Sequence, residues 1–260
     1  MTLPTVPQQP GERGNNETVP AVADLSIRPT GAAAEPAPSC ALLAGLIPAA
    51  LCEHWRRAAQ AHARSLRCRD LPDIDPAIAC ALLAGARVFE DFRGVVGQLP
   101  ACDLDECWVR RQFPPPDPRC RLCSPHSWHQ DGALRHAYGD AAALAADEPA
   151  LLDMLTCWIA LDPCGTEAPG LELLRSGRLA LIEPPQLAPD AITRRFGAAA
   201  MWRPVMAAGD ALVFAGHVLH RTHTHASMTR ERSSVELRFL DGERWPQRLE
   251  GDRRVWALPE

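Results

Sequence analysis

The sequence lacks the positive charge that a nucleic-acid partner would require. Lysine and arginine number 27 against 32 aspartates and glutamates, a net charge of −5, so no nucleic-acid partner is expected. Long apolar runs are missing too. The longest, Ala77 to Ala86, falls well short of the ~20 residues of a membrane span, and no membrane partner is expected. The chain does not start with a basic segment followed by an apolar one, so no secretory signal is expected. Aromatic residues are scarce at 5%, but an apolar share of 47% still supports a sizeable core and excludes a wholly disordered chain. There is no internal repeat.

Cysteine is plentiful, with ten residues, but the scatter does not resemble a disulfide framework. Cys40, Cys52, Cys80 and Cys157 lie in Ala/Leu-rich helical or apolar strand-like surroundings, where a free thiol behaves as a small hydrophobe. Reduced thiols and a cytoplasmic location are the expectation. Cys102, Cys107, Cys120 and Cys123 offer a competing metal site. Cys120 and Cys123 have knuckle spacing, whereas four residues separate Cys102 from Cys107. Thiolates at these positions would suit a zinc-stabilised interaction protein rather than a catalytic iron centre.

Residues 1–38, rich in Pro, Gly, Asn, Thr and Ala, read as a disordered leader. Residues 39–260 read as one domain. Ile47, Leu51, Trp55, Ala58, His62 and Leu66 recur at helical spacing. A second helix is expected over 77–86 with Asp75 as its cap, and further helices over 140–155 and 187–196. Strands are expected over 107–113, 156–161, 201–206, 211–214 and 233–240, and the prolines between 114 and 118 force a loop. Helices followed by many short strands indicate an α+β fold with a barrel or jelly-roll core.

Two segments carry chemistry. Trp128-His129-Gln130-Asp131-Gly132 contains a His-x-Asp pair, whose side chains share a face in a strand or tight turn. Far downstream, Gly209-Asp210 feeds an apolar strand that runs on to His220. Two imidazoles and a carboxylate on one face of an octahedral iron leave three positions open. A chelating 2-oxo acid can take two of them and dioxygen the third. His223 and His225 compete with His220 for the distal position, but they sit in a polar turn. Arg232 to Phe239 alternates: Val235, Leu237 and Phe239 face a core, while Arg232, Ser234, Glu236 and Arg238 face the other way. Arg232 with Ser234 suits the far carboxylate of 2-oxoglutarate, with Arg230 as a competitor. Arg110 and Arg111 read as a charged strand edge, although one of them could reach into a barrel mouth and meet an anionic substrate.

Trp128-His129-Gln130-Asp131, Trp158-Ile159-Ala160-Leu161-Asp162, the run from Gly209 to His220, and Arg232 together resemble the phytanoyl-CoA dioxygenase family. The resemblance covers roughly Leu46 to Asp241. It implies a double-stranded β-helix (jelly-roll, cupin-like) core with flanking N-terminal helices. It also implies Fe(II) on His129, Asp131 and His220, with 2-oxoglutarate as co-substrate. The expected activity is hydroxylation of a small molecule with dioxygen as 2-oxoglutarate is decarboxylated to succinate. A carboxylate at position 131 favours hydroxylation over halogenation, since related halogenases place a small residue there. A non-catalytic jelly-roll module that binds a metal or small ligand is the other alternative.

Overall fold

The computed structural model describes residues 39–103, 107–133, 151–244 and 253–255. The expected leader therefore lies outside the described residues, as does the expected helix over 140–155 as far as residue 150. Met154 and Leu155, placed at that helix's end, instead open a strand.

The first part of the chain is mostly helical, as its periodicity requires. Strand β1 (Cys40–Leu43) is followed by α1 (Ala49–Gln60), which buries Cys52, Trp55 and Ala59. Helix α2 (Pro76–Gly85) starts at the expected cap: Ala77 N–H donates to Asp75 Oδ1 at 2.9 Å, and Pro76 fills the first position, where no amide donor is needed. Two short helices follow, α3 (Val88–Asp91) and α4 (Arg93–Val96), and between α1 and α2 lies β2 (Leu66–Arg67).

The remaining strands are β3 (Pro100–Asp103), β4 (Trp108–Gln112), β5 (Met154–Ala160), β6 (Gly170–Leu174), β7 (Met201–Trp202), β8 (Ala211–Ala215), β9 (His220–His223), β10 (Arg232–Asp241) and β11 (Arg253–Val255), with helix α5 (Pro189–Phe196) before β7. All their pairings are antiparallel. The larger sheet runs β1-β8-β5-β10, and the ten-residue β10 then serves two partners in succession: β4, which carries β2, along its first half and β3, which carries β11, along its last residues. The smaller sheet is β7-β6-β9. This is an α+β jelly roll with helices on one outer face.

The central strands are buried on both faces, and their alternation sorts two interiors. Leu155, Cys157, Ile159, Val213, Val235, Leu237 and Phe239 pack against Trp55, Leu83 and Phe89 of the helices; the Phe89 and Phe239 rings meet edge-on at 4.9 Å. Trp158, Leu212 and Phe214 face the smaller sheet, with Leu171, Leu173 and Met206. In register, Arg238, Thr156 and Phe214 form one row across β10, β5 and β8, and Glu236, Trp158 and Leu212 form the next. These two rows floor the space between the sheets.

All ten cysteines are free thiols, and the proposed zinc quartet does not assemble. Cys102 and Cys107 sit in the helix-covered core with their sulfurs 3.6 Å apart. Cys123 instead lines the cavity between the sheets, and Cys120 is half-buried. Among the described residues, one group of three metal-binding side chains comes together, and it contains no cysteine.

Candidate metal centre

That group is His129, Asp131 and His220, whose donor atoms all lie within 4.8 Å of one another. His129 and His220 face each other in a single antiparallel bridge, with both backbone amides donating, at 2.9 and 3.0 Å. The segment bearing His129 thus extends the smaller sheet beyond β9. His220 was expected to end the apolar strand. Instead β8 stops at Ala215, the chain turns through Gly216, and His220 opens β9 in the other sheet. Alternation along β9 turns His220 and Thr222 inward, so His223 points away from His129. His225 is exposed and bonded to Ser227.

Both imidazoles are oriented by their own backbone. His129 Nδ1 meets the Ser127 carbonyl at 2.7 Å, and His220 Nδ1 meets that of Val218 at 3.0 Å. A carbonyl accepts, so each Nδ1 carries the proton and each Nε2 keeps a lone pair for a metal. The two Nε2 atoms stand 3.6 and 3.8 Å from the Asp131 carboxylate oxygens. Thr156 Oγ1 donates to Asp131 Oδ2 at 2.6 Å, and an Arg238 N–H donates to Oδ1 at 3.3 Å. Burial alone pushes the Asp131 carboxyl up. Arg238, the two histidines and Thr156 outweigh it and hold the group well below the usual carboxylate range. Two neutral imidazoles and a carboxylate are the donor set that a hard-to-borderline iron(II) takes, so the site fits that ion. Phe214 closes the back, its ring 4.6 Å from that of His220.

The tight turn after the His-x-Asp pair depends on glycine. A Cβ on Gly132 would lie 2.4 Å from the Leu152 carbonyl oxygen and 3.2 Å from that of Gly216. Both neighbours are tied to this turn, since the Gly132 amide donates to the Gly216 carbonyl and the Leu152 amide donates to the Gly132 carbonyl. Gly132→Ala is expected to destabilise the fold by about 1–3 kcal/mol, lowering Tm by several degrees and weakening metal binding at Asp131. An unchanged melting curve would show that the turn relaxes freely.

Burial, then the nearness of His129, pushes His220 down to about 4. It is neutral in the fold where an exposed histidine, near 6.5, would be charged. Between these values the unfolded chain binds more protons. The stability this contributes is intact above pH 6.5 and is lost as pH falls towards 4. Calorimetry of the metal-free chain should show Tm dropping across that window, and a flat Tm would contradict the burial of this imidazole.

Arg232 lies on the same interior. Its Nη1 donates to Ser234 Oγ at 2.6 Å, its Nε donates to the Pro169 carbonyl at 3.3 Å, and its guanidinium covers Trp158 at 4.7 Å. Burial lowers its pKa to about 10, so it stays cationic at neutral pH. Among the described residues no carboxylate forms an ion pair with it. Arg230, by contrast, is exposed and lies 3.7 Å from Glu167. Residues that the sequence reading did not assign are Thr156, Glu236 and Arg238. Glu236 is gripped by Arg238 on one oxygen and by Arg110 at 2.9 Å on the other. The two cations outweigh its burial and hold it near 2. The alternation of β10 already put Glu236 and Arg238 on the face of Arg232. Thr156, a hydroxyl inside an apolar strand, was a comparable signal.

The cavity between the sheets, of about 240 Å³, is lined by the three candidate ligands together with Arg232, Glu236, Arg110 and His126. The sequence profile described as phytanoyl-CoA dioxygenase matches residues 88–233. No curated protein matches the chain. Among solved structures, EctD from S. alaskensis is similar with a TM-score of 0.54 at 13% identity, over 85% of this chain and 79% of that one. HygX from Streptomyces hygroscopicus, solved with nickel and 2-oxoglutarate, has a TM-score of 0.52 at 15% identity, over 78% and 82%. SnoK, an alpha-ketoglutarate-dependent carbocyclase from nogalamycin biosynthesis, has 0.53 at 11%, over 78% and 80%. At these identities the likeness is one of fold.

Proposed function

The chain belongs to the phytanoyl-CoA dioxygenase family, and from that premise we propose that His129, Asp131 and His220 hold the iron while Arg232 and Ser234 receive the far carboxylate of 2-oxoglutarate. The enzyme is a non-haem iron dioxygenase with Fe(II) and 2-oxoglutarate as its cofactors. The finer reading is that it hydroxylates a small molecule. One C–H bond becomes C–OH, dioxygen supplies one atom to the product and one to succinate, and carbon dioxide leaves.

One observation carries this reading. A buried guanidinium without a carboxylate partner among the described residues shares a cavity with a two-histidine, one-carboxylate set. An uncompensated buried charge costs several kcal/mol, and a dianionic ligand reaching from the metal to Arg232 removes that cost. Ser234 fixes the fork, and Trp158 supports its face. The backbone carbonyls on the two Nδ1 atoms keep both imidazoles in the ligating tautomer, while Thr156 and Arg238 hold the carboxylate. Iron supplies the centre at which dioxygen is activated. The protein orients the reactants and keeps water out with Phe214, Trp158 and Leu171.

The domain in this reading is 39–260, with residues 1–38 preceding it as a leader; the Ser39 carbonyl already accepts from Ala215 at the edge of the larger sheet. No helix among the described residues is long and apolar enough to cross a membrane, and ten free thiols favour the cytoplasm. The deciding experiment loads the chain with Fe(II) and 2-oxoglutarate without oxygen and then admits air. Succinate should form, and faster once a substrate is present. Binding of both cofactors without succinate would make the chain a non-catalytic ligand-binding module.

A further inference from the structure

The cavity holds a second guanidinium with an unused edge. Arg110 of β4 lies opposite Ser234 of β10, as Gln112 lies opposite Arg232, and directly opposed residues in an antiparallel pair share a face. Arg110 therefore shares the interior with the 2-oxoglutarate anchor. It is fixed at two points: its Nε donates to Glu236 at 2.9 Å, and its guanidinium stacks on Trp108 at 4.4 Å. Its two terminal nitrogens have no partner among the described residues, and its side chain is 20% exposed where it lines the cavity. Arg111 turns to the opposite face, where its terminal nitrogens meet the Ala59 and His62 carbonyls and Glu231 at 2.9 Å. Arg238 is held by Asp131 and Glu236.

The charges in the cavity point the same way. Arg110, Arg232 and Arg238 face Asp131 and Glu236, three cations against two anions. The two charges of Fe(II) cancel the two of 2-oxoglutarate, so one positive charge is left over for a third ligand. Beside 2-oxoglutarate, the reacting end of a substrate would lie among Ser124, His126 and Thr222.

We propose that Arg110 docks an oxyanion of the primary substrate, a carboxylate or a phosphate monoester, on its free guanidinium edge. A fork held at Nε and stacked on an indole is ordered before the ligand arrives, which suits two parallel N–H···O bonds. The proposal rests on the reading of iron and 2-oxoglutarate given above.

The full chain, loaded with Fe(II) and 2-oxoglutarate, is tested for faster succinate formation with matched pairs: short hydroxy and amino acids beside their primary amides, and phosphate monoesters beside their parent alcohols. Acids or phosphates should accelerate turnover and their neutral partners should not; which of the two does so identifies the oxyanion. Arg110→Gln should raise the KM of the active anion by about tenfold or more, with a much smaller change in 2-oxoglutarate affinity measured without oxygen. Arg110→Lys, which keeps the charge but loses the fork, should recover part of the loss. Three results would overturn the proposal: equal stimulation by the neutral partners, no stimulation by any anion, or Arg110→Gln weakening 2-oxoglutarate as much as Arg232→Gln does. If the wild-type chain forms no iron–2-oxoglutarate complex, the earlier reading falls and this one falls with it; if the complex forms and the anions fail, only this one falls.

Discussion

Alanine at any one of positions 129, 131 and 220 is expected to reduce iron-dependent succinate formation to the level of the metal-free chain. The loss should lie well beyond the roughly 10–100-fold typical of removing an outer-shell partner. Each of these residues supplies one donor to a cluster spanning no more than 4.8 Å, and losing one of three weakens the hold on the ion and changes which positions around it are open to 2-oxoglutarate and dioxygen. The fold should survive in each case. His129 and His220 keep their backbone bridge whatever their side chains, and Arg238 keeps Glu236 when Asp131 is removed. His223→Ala is the internal control, because that side chain leaves β9 on the opposite face from His220. The checks are bound metal by elemental analysis, succinate by chromatography and folding by circular dichroism. Full activity in His220→Ala together with loss in His223→Ala would move the distal ligand.

Arg232→Ala is expected to weaken 2-oxoglutarate binding by about 2–5 kcal/mol, the cost of truncating one member of a buried charge pair, or roughly thirtyfold to several-thousandfold in Kd. Arg232 is 3% exposed, so little water would reach to compensate the ligand's stranded carboxylate. Arg230→Ala should change little, since an exposed pair such as Arg230–Glu167 is worth at most ~1 kcal/mol. Titration of 2-oxoglutarate into the iron-loaded chain without oxygen separates the two. Small and equal effects would remove Arg232 from the anchor role. Ser234→Ala should give a smaller loss of the same sign, because it frees the fork without removing its charge.

The positions that mattered most were legible where local pattern and chemistry coincided. The alternation of β10 put Arg232, Ser234, Glu236 and Arg238 on one face, and the structure has them there. Asp75 caps α2 because its carboxylate needs only the next turn to find its donor. What escaped was set by distant partners. Strands were not expected at β6 or β9, which gain their places by pairing with each other. The stripe expected on α1 ran through Leu51, Trp55 and Ala58; Trp55 is buried and Leu51 and Ala58 pack half-buried at the core's edge, but Cys52 and Ala59 are buried beside it, because the outer face of the larger sheet decides which side is covered. Cys123, taken as half of a zinc knuckle, faces the cavity because Gln112 Nε2 holds its carbonyl at 2.8 Å. That contact joins residues on either side of a proline-rich loop, and no local spacing encodes it. Gln130, between the two metal-binding positions, is a staple: it bonds the Ala180 and His217 carbonyls and the Ile182 amide. That role too appears only in three dimensions.

The two-sided burial of β10 also decides where this chain can change in length. Deleting one residue inside Arg232–Asp241 reverses the parity of everything beyond it. Glu236 and Arg238 would be driven among the leucines and phenylalanines under the helices, and Leu237 and Phe239 would be thrust beside the metal. The stretch between His223 and Arg232 carries no ladder at all. An added or missing residue there disturbs the buried Met228 and the bonds of the Thr229 and Arg230 amides to the Glu167 carbonyl, but it leaves the parity of β10 unchanged. A change of length thus costs less between the distal ligand and the anchor than one step later, so the interval from His220 to Arg232 is a poor ruler for finding the anchor, while odd-or-even position along β10 is a good one.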